Sequence, residues 1–295
     1  MIQTNQFIDL GNGIDLHFAS AGNPNKPLML MIHGFPEFWY AWKDLMPNFS
    51  NDYYVVAPDM RGYNLSSKPE GIENYKPKHL VDDVVRLIKT LGKDKAVVVA
   101  HDWGGAIAWN LAISNPEVID RLIILNAPHP YIFAKALAED PIQQASSQYM
   151  NWLRRTGSED ILMQDDFIKL EGFFNKPNQP HWCVGEVRDA YHAAWSVPNA
   201  VKSAVHWYRG SPLYPPTGDD LGAKKLQLNP QDFIVKSRTL VIWGMQDAAL
   251  PPGLIEGLDA FIPNGEIVRL ESATHWLVHE YPLEITSEIE RYLDK

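Results

Sequence analysis

Residues 97–112, VVVAHDWGGAIAWNLA, run an aliphatic strand straight into a helix with no loop between them. Few backbone arrangements accommodate such a junction. A chain that reverses so sharply needs small residues at the reversal, and Gly104, Gly105 and Ala106 supply them. The side chain at the turn is then lifted above the sheet at a helix N-terminus, and here it is Asp102. The helix dipole and the free N–H groups keep a carboxylate ionised at that place. Taken alone, Asp102 is better explained as an N-cap.

The rest of the chain follows the same alternation. Phe7–Leu10 and Ile14–Phe18 flank Gly11-Asn12-Gly13 and predict a hairpin. Leu28–Ile32, Tyr53–Ala57, Ala96–Ala100 and Arg121–Leu125 read as buried strands. Between them, Pro77–Leu91 places Leu80, Val81, Val84, Val85, Ile88 and Leu91 at helical spacing, with Asp82, Asp83 and Lys89 expected to face away. The expectation is an α/β fold, a mostly parallel, doubly wound sheet with helices on both faces. From about Pro130 to Pro230 the strand signal stops and Trp, Tyr and His become frequent, which predicts a helical insertion. Strands return at Thr239–Trp243 and Glu266–Leu270, and an amphipathic helix is expected after each. One would carry Leu254, Ile255 and Leu258, the other Ile285, Ile289 and Tyr292. The expected organisation is a core of residues 1–129 and 230–295 with an inserted helical cap of residues 130–229.

Composition narrows the function. The net charge of −10, with no basic stripe, argues against nucleic acid or an anionic membrane as partner. The longest apolar runs are five residues, far short of the ~20 that span a bilayer. The start, MIQTNQFIDLGNG, lacks the pattern of a secretory signal, and the single Cys183 excludes an internal disulfide, so a cytoplasmic location is expected. Three isolated histidines near the elbow, His33, His101 and His129, lack metal-ligand spacing and are expected to position loops; no metal and no cofactor is expected. The partner is a small molecule. The oligomeric state is open, a homodimer included.

Two further residues turn Asp102 into a candidate catalytic group. Strand Thr239–Trp243 leads to Asp247, and strand Glu266–Leu270 leads to His275. Catalytic groups of open α/β sheets gather at these carboxyl ends, and the order Asp102…Asp247…His275 is nucleophile, acid, base. An acid beside a histidine fixes its tautomer and leaves the other nitrogen free as a base. The strand Leu28–Ile32 ends in His33-Gly34-Phe35-Pro36, which nominates the backbone N–H groups of Phe35 and Trp103 as an oxyanion hole and Phe35-Pro36 as a candidate cis bond. Phe35, Trp103 and Trp152 are expected to wall an apolar pocket, while His181 and Trp182 are expected to pack the cap. Asp59 and Arg61 are expected to brace a loop as a pair.

HGFPEFWYAW (33–42), APDMRGYNLSSKP (57–69), AHDWGGA (100–106), LNAPHP (125–130), WGMQDAALPP (243–252) and HWLVHEYP (275–282) together resemble the epoxide hydrolases of the α/β-hydrolase fold, especially bacterial ones. The resemblance covers nearly the whole chain. It implies attack by Asp102 on an epoxide and a pair of ring-opening acids from the cap, matched here by Tyr149 and Tyr208. Chemistry agrees, because a tyrosine stays protonated at neutral pH and donates to a developing alkoxide. Two alternatives share the fold. Haloalkane or haloacid dehalogenases also use an elbow aspartate, but this chain has Phe35 where an Asn is common, and Trp103 and Ala106 where fluoroacetate dehalogenases carry arginines. A non-catalytic receptor on the same core would be expected to carry a damaged triad.

Overall fold

The computed structural model describes residues 1–175 and 180–294. Among them, eight strands form one sheet: β1 (Gln3–Asp9), β2 (Asp15–Ala21), β3 (Leu28–Ile32), β4 (Tyr54–Pro58), β5 (Ala96–His101), β6 (Ile119–Leu125), β7 (Thr239–Gly244) and β8 (Gly265–Leu270). Their spatial order is β1-β2-β4-β3-β5-β6-β7-β8. The hairpin β1-β2 and the pairing of β2 with β4 are antiparallel, and every pairing from β4 across to β8 is parallel.

The helices are α1 (Met46–Phe49), α2 (Pro77–Thr90), α3 (Asp102–Ser114), α4 (Pro130–Glu139), α5 (Pro141–Ser146), α6 (Gln148–Leu153), α7 (Ser158–Phe174), α8 (Gly185–Ser196), α9 (Ala200–Gly210), α10 (Leu277–Glu280) and α11 (Pro282–Leu293). The central strands are buried on both faces, and alternate residues feed two cores. Leu28, Leu30 and Ile32 of β3 pack with Val84 and Leu87 of α2 and with Ile107 and Leu111 of α3. Met29 and Met31 face the opposite core, with Met46 and Phe49 of α1 and Ile285 and Ile289 of α11. This period of two on a sheet covered on both sides explains why the strands read as continuous apolar runs.

Three local expectations are corrected. Asp83 does not face away from α2. It is fully buried and takes a two-pronged ion pair from Arg61, at 2.7 Å from Nε and 2.6 Å from Nη2. Position 83 shares a helix face with Leu80, Val84 and Leu87, and the guanidinium makes a buried carboxylate there tolerable. Asp59 and Arg61 are therefore not a pair. Asp59 instead holds His17 at 2.6 Å, the Asn64 amide at 2.8 Å and the Trp39 N–H at 2.8 Å. The segment with Leu254, Ile255 and Leu258 is not one amphipathic helix but two 3-10 turns, Pro252–Ile255 and Leu258–Ala260, separated by Gly257 at φ +71°.

Between β6 and β7 the described residues contribute helices and turns but no strand to the sheet. Within this stretch α7 is broken at Asp165, Asp166 and Phe167, whose φ values of +50°, +54° and +62° are left-handed. No helix among the described residues is long and apolar enough to cross a membrane.

Candidate active site

The chain runs from β3 to β4 on one side of the sheet, then crosses to place β5 on the other side of β3. Strand order reverses there, and a crevice opens beyond the carboxyl ends of β3 and β5. Asp102 follows β5 at φ +50°, a strained conformation for a residue with a Cβ. The turn exists because its neighbours are small. A Cβ on Gly104 would stand 2.3 Å from the Ile32 carbonyl oxygen, and one on Gly105 would stand 2.2 Å from the Ala127 Cβ. The loop after β3 reaches Asp102 directly, with the Phe35 N–H donating to Oδ1 at 2.8 Å. Phe35-Pro36 is cis. His33 steadies this loop: its Nε2 accepts from the Met60 N–H at 3.0 Å, so Nδ1 carries the proton donated to the Gly34 carbonyl at 2.8 Å. Burial lowers the His33 pKa, in keeping with a neutral ring. His129 braces a more distant loop, its Nε2 lying 2.9 Å from the Phe233 carbonyl oxygen.

The loops after β7 and β8 bring Asp247 and His275 beside Asp102. His275 Nδ1 lies 2.6 Å from Asp247 Oδ2, and Nε2 lies 3.4 Å from Asp102 Oδ2. Asp247 is buried and also accepts from Asn126 Nδ2 at 2.7 Å and from the Ala249 and Leu250 N–H groups at 2.8 and 2.9 Å. Burial pushes its pKa up, but His275 and these donors outweigh burial and hold it below the usual range. For His275 burial pushes down, and the two carboxylates outweigh it, raising the pKa to about 10. A carboxylate at each ring nitrogen thus favours the protonated form of this histidine.

Tyr149 on α6 and Tyr208 on α9 stand with their ring centroids 6.1 Å apart. Both line the same two cavities as Asp102. The Tyr208 ring is wedged edge-on between Phe35 and Trp103, with centroids at 5.1 and 5.0 Å. Burial, reinforced by the charge on Asp102, raises both phenol pKa values, so both remain proton donors at neutral pH. Of the expected wall residues, Phe35 lines one cavity and Trp103 the other, whereas Trp152 lines neither. Trp152 packs half-buried on the core cluster instead.

The α/β hydrolase fold family matches residues 27–282. The AB hydrolase superfamily protein YfhM of Bacillus subtilis is 37% identical over 98% of this chain and 97% of its own length. Epoxide hydrolase 1 of Caenorhabditis elegans is 35% identical over 96% of this chain and 68% of its own length. The crystal structure of a mutant epoxide hydrolase from Bacillus megaterium gives a TM-score of 0.89 at 34% identity, covering 98% of this chain and 100% of that one. The chain belongs to the epoxide hydrolases of the α/β-hydrolase fold.

Behind the triad of this hydrolase lies a buried polar cluster that sequence reasoning misses. Glu37 is fully buried, with Oε1 accepting from Tyr191 at 3.0 Å and meeting His279 Nε2 at 2.6 Å. Its Oε2 meets His101 Nδ1 at 3.1 Å, and His101 Nε2 reaches the His275 carbonyl oxygen at 2.9 Å. Burial raises the Glu37 pKa, but the two histidines outweigh it and leave it far below the usual carboxylate range. The available signal is a lone acid inside the aromatic run FPEFWYAW. Trp182 stacks on His279 with ring centroids 3.7 Å apart, and His181 is exposed; neither lines the cavities at Asp102.

Proposed function

We propose that this hydrolase converts epoxides to vicinal diols through a covalent ester on Asp102, with residues 130–229 acting as a cap that delivers the ring-opening acids. The reading rests on one observation above all: Asp102, Tyr149 and Tyr208 border one crevice, with His275 and Asp247 on the carboxylate side. Asp102 Oδ1 is held by the Phe35 N–H, which leaves Oδ2 as the attacking oxygen. Attack on a ring carbon breaks its C–O bond, and the tyrosines donate to the departing oxygen. Two donors aimed at one developing charge each contribute on the order of 3 kcal/mol.

Ester formation removes the charge from Asp102, one of the two carboxylates that keep His275 protonated. The His275 proton is then free to pass to the alkoxide, which the tyrosines hold, across the cavity that all three side chains line. Neutral His275, oriented by Asp247, takes a proton from water as that water attacks the ester carbonyl. The N–H groups of Phe35 and Trp103 serve the resulting oxyanion. On collapse, the proton of the added hydroxyl passes to the departing alkoxide. The diol leaves with the former Oδ2, and Asp102 and His275 regain their starting charges.

A single turnover with excess enzyme in 18O-water tests this. The first diol should carry essentially no label, and the peptide containing Asp102 should acquire it. Labelled diol from the first turnover would show direct attack by water and overturn the covalent route.

A further inference from the structure

The two tyrosines stand on helices that are not equally secured. Tyr208 belongs to α9, 11 residues long, which is fixed on the core at two points. Trp207 Nε1 donates to the Arg61 carbonyl at 3.0 Å. Gly210 packs so closely that a Cβ on it would stand 2.8 Å from the Tyr75 carbonyl oxygen. Tyr149 belongs to α6, only 6 residues long. A helix that short does not hold its own shape in water and takes its place from its neighbours. Asn151 supplies one tie, from Nδ2 to the Pro215 carbonyl at 3.1 Å.

Arg154 supplies the stronger one. It is the C-cap of α6, and its Nη1 donates to the Tyr208 carbonyl. The same nitrogen lies 3.0 Å from the Ser211 carbonyl oxygen and 3.4 Å from that of Arg209. Carbonyls at the end of a helix lack helical partners and carry the negative end of its dipole, so a cation suits them. The guanidinium lies 3.7 Å over the Tyr214 ring, which fixes its plane. α9 reciprocates through Arg209, whose Nη2 donates to the Arg155 carbonyl at 2.6 Å and whose Nη1 meets Glu159 Oε1 at 3.1 Å. The ends of α6 and α9 are thus clasped from both sides, at the backbone of Tyr208 itself.

We infer that Arg154 is a positioning residue for the ring-opening pair. It fixes the end of the helix bearing Tyr149 on the end of the helix bearing Tyr208, so that both hydroxyls meet one epoxide oxygen. This rests on the reading of the two tyrosines as ring-opening acids. Arg154 binds carbonyls rather than a carboxylate, so its removal loosens the clasp without stranding a paired acid.

Single-turnover rapid-quench kinetics with styrene oxide separate ester formation from ester hydrolysis. Arg154→Met should slow ester formation about tenfold or more, since a misplacement of about 1 Å costs up to about a hundredfold. Ester hydrolysis, which uses His275, Asp247 and the oxyanion N–H groups, should stay within about twofold of wild type, because no group acting in that step has moved. Arg154→Lys keeps the charge but offers a point donor in place of the planar fork, so its ester formation should fall between the two. It also carries the test where Arg154→Met does not fold. Equal slowing of both steps, or wild-type ester formation in every variant that folds, overturns this inference alone. Wild-type ester formation when Tyr149→Phe and Tyr208→Phe are combined overturns the acid reading, and this inference with it.

Discussion

Among individual residues, the two tyrosines are the sharpest point of the proposed chemistry. Tyr208 is buried and Tyr149 half-buried, both have raised pKa values, and both border the crevice. With two donors on one charge, losing one hydroxyl leaves the other in place. Tyr149→Phe and Tyr208→Phe should each slow ester formation by about a hundredfold, and the double variant should leave almost none. Rapid-quench measurement of the ester in a single turnover reads that step directly. Unchanged ester formation in the double variant would remove the tyrosines from the mechanism.

For the strands and helices, the decisive feature is the turn from β5 into α3, which depends on two glycines packed against backbone and side chain. Gly105 is the better probe, because a Cβ there would meet the Ala127 Cβ at 2.2 Å rather than touch Asp102 itself. Gly105→Ala forces α3 away from the loop after β6, and overpacking of this kind costs about 1–3 kcal/mol. The expected result is a clear fall in urea midpoint together with reduced kcat, since Asp102 sits at the N-terminus of the displaced helix. A variant as stable and active as wild type would show that the turn has room to relax.

Across the molecule, Glu37 ties three regions together: Tyr191 of α8, His101 of β5 and His279 of α10. Its folded pKa is depressed, so its stabilising contribution is present above the ordinary value of 4.5 and is lost as pH falls through the folded value. Glu37→Gln should therefore be less stable than wild type at pH 7, and the gap should narrow as the solution is acidified below 4.5. Urea unfolding at a series of pH values measures this. A gap that stays constant with pH would mean that the charge of Glu37 contributes nothing to stability.

The aliphatic strands, the turn at Asp102 and the placement of Asp247 and His275 after later strands are all legible in order along the chain. Each depends on local patterning: apolar period, small residues at a reversal, and polar residues just past a strand end. Charge misleads where tertiary partners override it. Asp83 reads as a solvent-facing residue, yet Arg61 from a separate loop pairs with it in the interior. The Glu37 cluster is not legible, because its members lie at positions 37, 101, 191 and 279 and only folding brings them within hydrogen-bond reach. The same holds for the two cavities that meet at Asp102, Tyr149 and Tyr208. Local pattern is thus enough to name the candidate residues and the strand ends on which they stand. Their surroundings, and with them their protonation, come from segments far apart in the chain, since burial and charge pairing leave no local signature.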